Sequence, residues 1–122
     1  MKRTDERELA FKSIYSRFFN PSADLEDESI DSKKTEFANK IIEEYSQHKD
    51  EVHALISDNL KGYTIDRLYK IDLAILILTI VEINYLGTPK EIVINEAVEL
   101  AKKFSTEKSP RFINGFLAQI IK

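Results

Sequence analysis

The sequence predicts an all-α fold, a compact single domain of two packed three-helix bundles. Three observations carry that prediction: apolar residues recur at helical spacing through most of the chain, only three Gly and three Pro are present to build turns, and no alternating stretch offers a strand its partner. With 122 residues, 43% of them hydrophobic, such a chain buries roughly two-thirds of the surface it exposes when unfolded. Neither a disulfide nor a cofactor is needed to hold it.

The elements follow in order. Thr4 is placed to cap a first helix, Asp5 and Glu6 suit the positive end of its dipole, and Phe11, Ile14, Tyr15 and Phe18 form one stripe that Pro21 ends. Ser22 to Asp31 is acidic and has no apolar period, which reads as a loop. A second helix is expected from near Ser32, with Phe37, Ala38, Ile41, Ile42 and Tyr45 inward. A joint follows at Gln47 to Asp50, then a third helix carrying Val52, Leu55, Ile56 and Leu60 and ended by Gly62. Thr64 caps a short turn. Asp72 to Leu86 is rich in β-branched residues and would also suit a buried strand, but a lone strand leaves its backbone groups unpaired. A central helix, apolar all round and ended by Gly87, is the consistent reading. Thr88-Pro89-Lys90-Glu91 reads as a capping box with Pro at the first helical position, opening a helix whose seam is Val93, Ala97, Leu100 and Phe104. Ser109-Pro110 repeats that start for a last helix with Phe112, Ile113, Phe116, Leu117 and Ile120 inward. Gly115 inside it suggests close helix contact. The halves divide at about residues 1–61 and 62–122.

Composition excludes several functions. Without Cys there is no disulfide framework, thiol nucleophile or Cys-ligated zinc, and the opening residues lack a charged-then-apolar leader, so a cytoplasmic protein is expected. The longest nearly polar-free run, Leu73 to Val81, is under half of the roughly twenty residues of a membrane span. The formal net charge is −3, yet it is uneven: residues 1–61 hold ten Lys/Arg against fourteen Asp/Glu, and residues 62–122 hold eight against seven. Five of the acids sit in the 22–31 stretch, so a local basic face is compatible with an acidic chain.

Catalytic chemistry finds little support. His48 and His53 are not at the i, i+4 spacing of a helical metal pair and read as exposed helix histidines; no metal ligand or cofactor is expected. Glu96 and Glu99 read as surface acids, Glu99 pairing with Lys102 or Lys103. Asn95 and Asn114 have no nucleophile or acid partner and read as capping or bridging residues. Two basic groups stand out: Lys2, Arg3, Arg7, Lys12 and Arg17 along the first helix, and Lys102, Lys103, Lys108 and Arg111 around the last connection. If the fold joins them they form a cationic groove, with Tyr15 and Phe112 as base-stacking faces. Both aromatics also occupy apolar stripes, where a core position is the alternative.

Pro89 followed by Ile92-Val93-Ile94-Asn95-Glu96-Ala97-Val98-Glu99-Leu100-Ala101-Lys102-Lys103-Phe104, then Arg111-Phe112-Ile113-Asn114-Gly115-Phe116-Leu117, resembles the C-terminal signature of the NusB family. Arg7 to Tyr15 is similar to that family's opening helix, and Arg67 to Glu82 to its central segment. The resemblance implies a non-enzymatic transcription antitermination factor. Such a factor binds boxA-type single-stranded RNA together with the ribosomal protein NusE and helps RNA polymerase read through terminators. It further implies RNA contacts at Lys2, Arg3, Arg7, Lys108, Arg111 and Phe112, and contacts with NusE at Tyr15 and Asp72. The competing expectation is a protein-interacting helical adaptor or homodimer without direct RNA binding.

Overall fold

The structure, a computed structural model, describes residues 2–20 and 35–121. Its elements are α1 (Arg3–Arg17), α2 (Glu36–Asn59), a 3-10 turn (Ile65–Arg67), α3 (Lys70–Tyr85), α4 (Lys90–Phe104) and α5 (Ser109–Ile120). No strand occurs among the described residues. The acidic stretch, the stop at Pro21 and the helix start near Ser32 lie outside them.

The β-branched segment is a helix, and it is the axis of the molecule. Every residue from Asp72 to Glu82 on α3 is buried, because α3 packs against all four other helices and has no face left for water. Its one hydroxyl in the apolar run, Thr79 Oγ1, donates to the Ile75 carbonyl at 2.8 Å, so it enters the core satisfied. The helices form two groups, α1–α2–α3 and α3–α4–α5, that share α3. Buried apolar side chains from all five helices belong to one cluster.

Two helices expected between residues 32 and 60 are one described helix, α2, broken in direction at His48 (φ −122°, ψ 21°). The joint therefore falls within the expected Gln47 to Asp50. Its geometry has a use, since the His48 ring stacks on Tyr85 of α3 with centroids 3.9 Å apart and planes 8° from parallel. His53 is half-buried and its Nε2 lies 2.7 Å from Tyr45 Oη. The two histidines are thus packing residues rather than the exposed ones expected.

Buried polar groups fasten the helices. Arg7 is 4% exposed and Glu82 is fully buried. Arg7 Nε donates to both Glu82 oxygens, at 2.8 and 3.0 Å. Glu6 Oε1 accepts from the backbone N–H of Phe37 and Ala38, so a carboxylate on α1 caps the start of α2. The caps expected of Thr4 and Thr88 do not form, because the helices start at other residues: Lys2 is the cap position of α1 and Pro89 that of α4. The Thr4 hydroxyl donates to Glu96 at 2.9 Å and the Thr88 hydroxyl to Glu82 at 3.2 Å. Gly87 (φ 70°) ends α3 with a turn that brings the Thr88 N–H to the Glu82 carbonyl. Gly115 is not a helix-contact glycine: it is exposed, and a Cβ there would meet nothing within 4 Å.

Removing one partner of the buried pair leaves a charge without compensation, so Arg7→Ala should lower stability by about 3–5 kcal/mol in urea unfolding. Burial, then the nearby Lys49, hold the His53 imidazole below its ordinary value of 6.5. Its contribution to stability is therefore complete above that value and is lost as pH falls through the lower folded value. His53→Gln should flatten the acid side of a stability–pH profile below 6.5.

Candidate nucleic-acid interface

The cations of α1 are largely occupied within the protein. Arg7 was expected to meet RNA, but its guanidinium is withdrawn into the Glu82 pair, with Glu96 a further 3.7 Å contact. The charge of Arg7 is thus already balanced inside the protein by Glu82. Lys12 pairs with Glu8 at 3.3 Å, and Lys103 of α4 donates to the same carboxylate at 2.6 Å, holding it below the usual carboxylate range. Lys102 pairs with Glu99, as its helical spacing suggests. Lys2 and Arg3 stay exposed at the start of α1, the Arg3 guanidinium 4.6 Å from the centre of the Phe37 ring.

The other basic group is differently placed. Ser105 Oγ donates to Asp72 Oδ1 at 2.6 Å, and Ser109 Oγ to Asp72 Oδ2 at 3.0 Å. Ser109 Oγ also accepts from the Thr106 N–H and meets the Thr106 hydroxyl at 2.8 Å, so its hydroxyl serves this turn rather than capping the following residues. Asp72 is only 3% exposed. Asp72 was expected to hold a protein partner; here both of its oxygens are engaged inside the chain, tying the start of α3 to the turn between α4 and α5.

That turn sets out a cavity of about 230 Å³ lined by Tyr63, Arg67, Leu68, Tyr69, Thr106, Lys108 and Phe112, with Asp72 and Ser109 also in its wall. Phe112 is half-buried, its ring tilted against Phe116 with centroids 6.0 Å apart, and it lines the cavity. Tyr69 is 65% exposed. Among the described residues Arg67, Lys108 and Arg111 make no ion pair, which leaves their charges available. Segments 60–72 and 105–116 together hold five Lys/Arg against three Asp/Glu, one of them the engaged Asp72. Aromatic faces with free cations at their rim are what unpaired bases and their phosphates require.

The two basic groups meet in part: Lys12 of α1 and Lys103 of α4 both lie over the Phe104 ring, 5.4 and 5.3 Å from its centre. The start of α1 lies beside the middle of α4, where Thr4 meets Glu96. From Glu96 to the last helical residue, Phe104, is about 12 Å of α4 at 1.5 Å per residue. Lys108, Arg111 and Phe112 are thus gathered at one end of the α4–α5 pair, and Lys2 and Arg3 stand apart from them. Tyr15 is half-buried, with Phe18 and Phe19 edge-on at 6.4 and 5.1 Å, and Phe19 is 65% exposed. Asn95 and Asn114 neither cap nor bridge: both are exposed, and with Arg111 they line a shallow groove between α4 and α5. Sequence missed Tyr63, Arg67 and Tyr69 as site residues. The signal available was their density in a short segment with little apolar period. Among the described residues no cluster could hold a metal ion, and no helix is long and apolar enough to cross a membrane.

Asp72→Ala deprives two buried hydroxyls of their acceptor and should cost about 2 kcal/mol in thermal unfolding. Asp72→Lys should cost more, since it adds a buried charge without a partner. A stability unchanged in either variant would mean that the turn does not depend on this carboxylate.

Comparison with known proteins agrees with this architecture. A NusB protein of Finegoldia magna described as a transcription antitermination protein is 38% identical over 130 aligned residues, covering 100% of this chain and 95% of the relative. The T. maritima NusB structure superposes with a TM-score of 0.89 at 32% identity, covering 98% of this chain and 90% of that one. A crystal structure of the antitermination factors NusB and NusE in complex with double-stranded RNA superposes with a TM-score of 0.83 at 27% identity, covering 98% and 97%. The family model for the NusB family matches residues 4–122, and the chain belongs to the NusB family.

Proposed function

We propose that this protein is a transcription antitermination factor that binds boxA-type single-stranded RNA in the Phe112 cavity, acts together with the ribosomal protein NusE, and helps RNA polymerase read through terminators. The observation that carries this reading is the convergence of Phe112, Tyr63 and Tyr69 with Arg67 and Lys108, which make no ion pair among the described residues, in one cavity to which the family's signature stretch contributes Phe112. Related NusB and NusE have been crystallised together with RNA. The function is binding, and no catalytic step is assigned to any residue. A factor that acts on nascent RNA works where that RNA is made, in the cytoplasm.

Lys108, Arg111 and Phe112 carry the RNA contacts in this reading, with Arg67 added, while Lys2 and Arg3 offer a second, separate pair of cations. Arg7 acts only through the fold. The partner-facing role falls to Tyr15 with its neighbours Phe18 and Phe19, whose exposed edges suit an apolar protein contact. NusE bound there would place additional cations on the same RNA, so that two weak contacts become one linked complex of higher apparent affinity.

Fluorescence anisotropy with labelled boxA-type RNA tests the reading. Phe112→Ala should weaken binding about tenfold through the lost stacking face. Lys108→Ala should weaken it less and make the log–log salt slope shallower by about 0.7. Addition of NusE should tighten binding by the wild-type chain. Affinity unmoved by both substitutions, with or without NusE, would place the RNA elsewhere.

A further inference from the structure

We infer that the RNA strand runs on past Phe112 along α5 through a second cleft, and that Gly115 is kept free of a side chain to let the strand lie against the helix. The inference rests on the reading of the Phe112 cavity as the RNA site. The second cleft, about 310 Å³, shares the Tyr63 and Phe112 rings with the first and adds Lys61, Arg111, Gly115 and Gln119. The two hollows are thus one track with the two rings as their common wall.

Gly115 has no reason to be glycine within the protein. It lies inside α5, where glycine is less favourable than alanine. Its backbone is not in the left-handed region that only Gly62 and Gly87 adopt among the described residues, and a Cβ would touch nothing within 4 Å. Neither conformation nor packing calls for it, so the remaining demand is an approach from outside, a close contact of another backbone with the helix surface. What approaches is anionic. Lys61 and Arg111 flank the cleft without an ion pair among the described residues, and no carboxylate lines it. Gln119 adds an amide that can donate to and accept from a base edge or a ribose. From Lys108 to Gln119 the track runs about 16 Å at 1.5 Å per residue, long enough for a few nucleotides of an unpaired strand. Exposed rings at its head select unpaired bases over a duplex.

The test pairs stability with affinity in the full chain, using labelled single-stranded boxA-type RNA as probe. Gly115→Ala should raise Tm by about 4 °C and at the same time weaken RNA binding roughly tenfold, opposite signs that a structural role cannot produce. Lys61→Ala, at an exposed position, should leave Tm in place and make the salt slope shallower by about 0.7. A Gly115→Ala chain with higher Tm and unchanged affinity, while Phe112→Ala still weakens binding, overturns the path along α5 and spares the Phe112 site. Loss of Tm in Gly115→Ala also overturns it, as does a duplex of the same sequence that competes as well as the single strand. Phe112→Ala without effect removes the site, and the path with it.

Discussion

The pair formed by Arg7 and Glu82 is the constraint on which the rest of this structure depends. Glu82 lies on α3, the helix that every other helix touches, and it is fully buried. Desolvating a carboxylate there costs several kcal/mol, and only a well-placed counter-charge with further hydrogen bonds offsets it. Arg7 supplies the charge from α1 and Thr88 supplies a hydroxyl from the link to α4. One side chain therefore sets the relation of three helices, and a shift in any of them would leave the carboxylate short of partners. The uniform apolar surface of α3 provides most of the burial, but apolar contact alone does not choose a rotation about the helix axis. The ion pair does.

Asp72 acts in the same way one end of α3 away. Its two oxygens gather the hydroxyls of Ser105 and Ser109, which fixes the turn between α4 and α5 relative to the central helix. The consequence reaches the candidate site, because Lys108 and Phe112 flank that turn and the wall of tyrosines opposite belongs to the segment leading into α3. A buried carboxylate thus decides whether the aromatic and cationic groups of the cavity face one another.

Charge is distributed between structure and function by this internal demand. Of the cations conspicuous in the sequence, Arg7, Lys12, Lys102 and Lys103 are engaged with glutamates of the chain itself. Those without such partners among the described residues include Arg67, Lys108 and Arg111, and they border the cavities around Phe112. A formal net charge of −3 is in this way compatible with a local cationic surface, since the field at a surface follows the nearby charges and not the sum over the chain.

The sequence by itself determined the helical class, the central apolar helix and the signature residues around Phe112. The reason is local: a 3.6-residue period, scarce turn residues and an unbroken apolar run leave one economical way to bury the chain. It also placed the break in α2 near His48, because polar residues interrupt the apolar stripe there. What only the tertiary structure decided is which polar groups are spent inside. The family resemblance implied ligand contacts for Arg7 and Asp72, and no local pattern showed that each also meets a partner distant in the chain. Their partners lie 75 and 33–37 residues away. The same distance effect hid Tyr63 and Arg67, which join Phe112 only when α5 folds back on the start of α3, and it separated Lys2 and Arg3 from the groove they were expected to share. Periodicity reports which face of a helix is buried, whereas the meeting of two faces is fixed by long-range packing that no local pattern encodes.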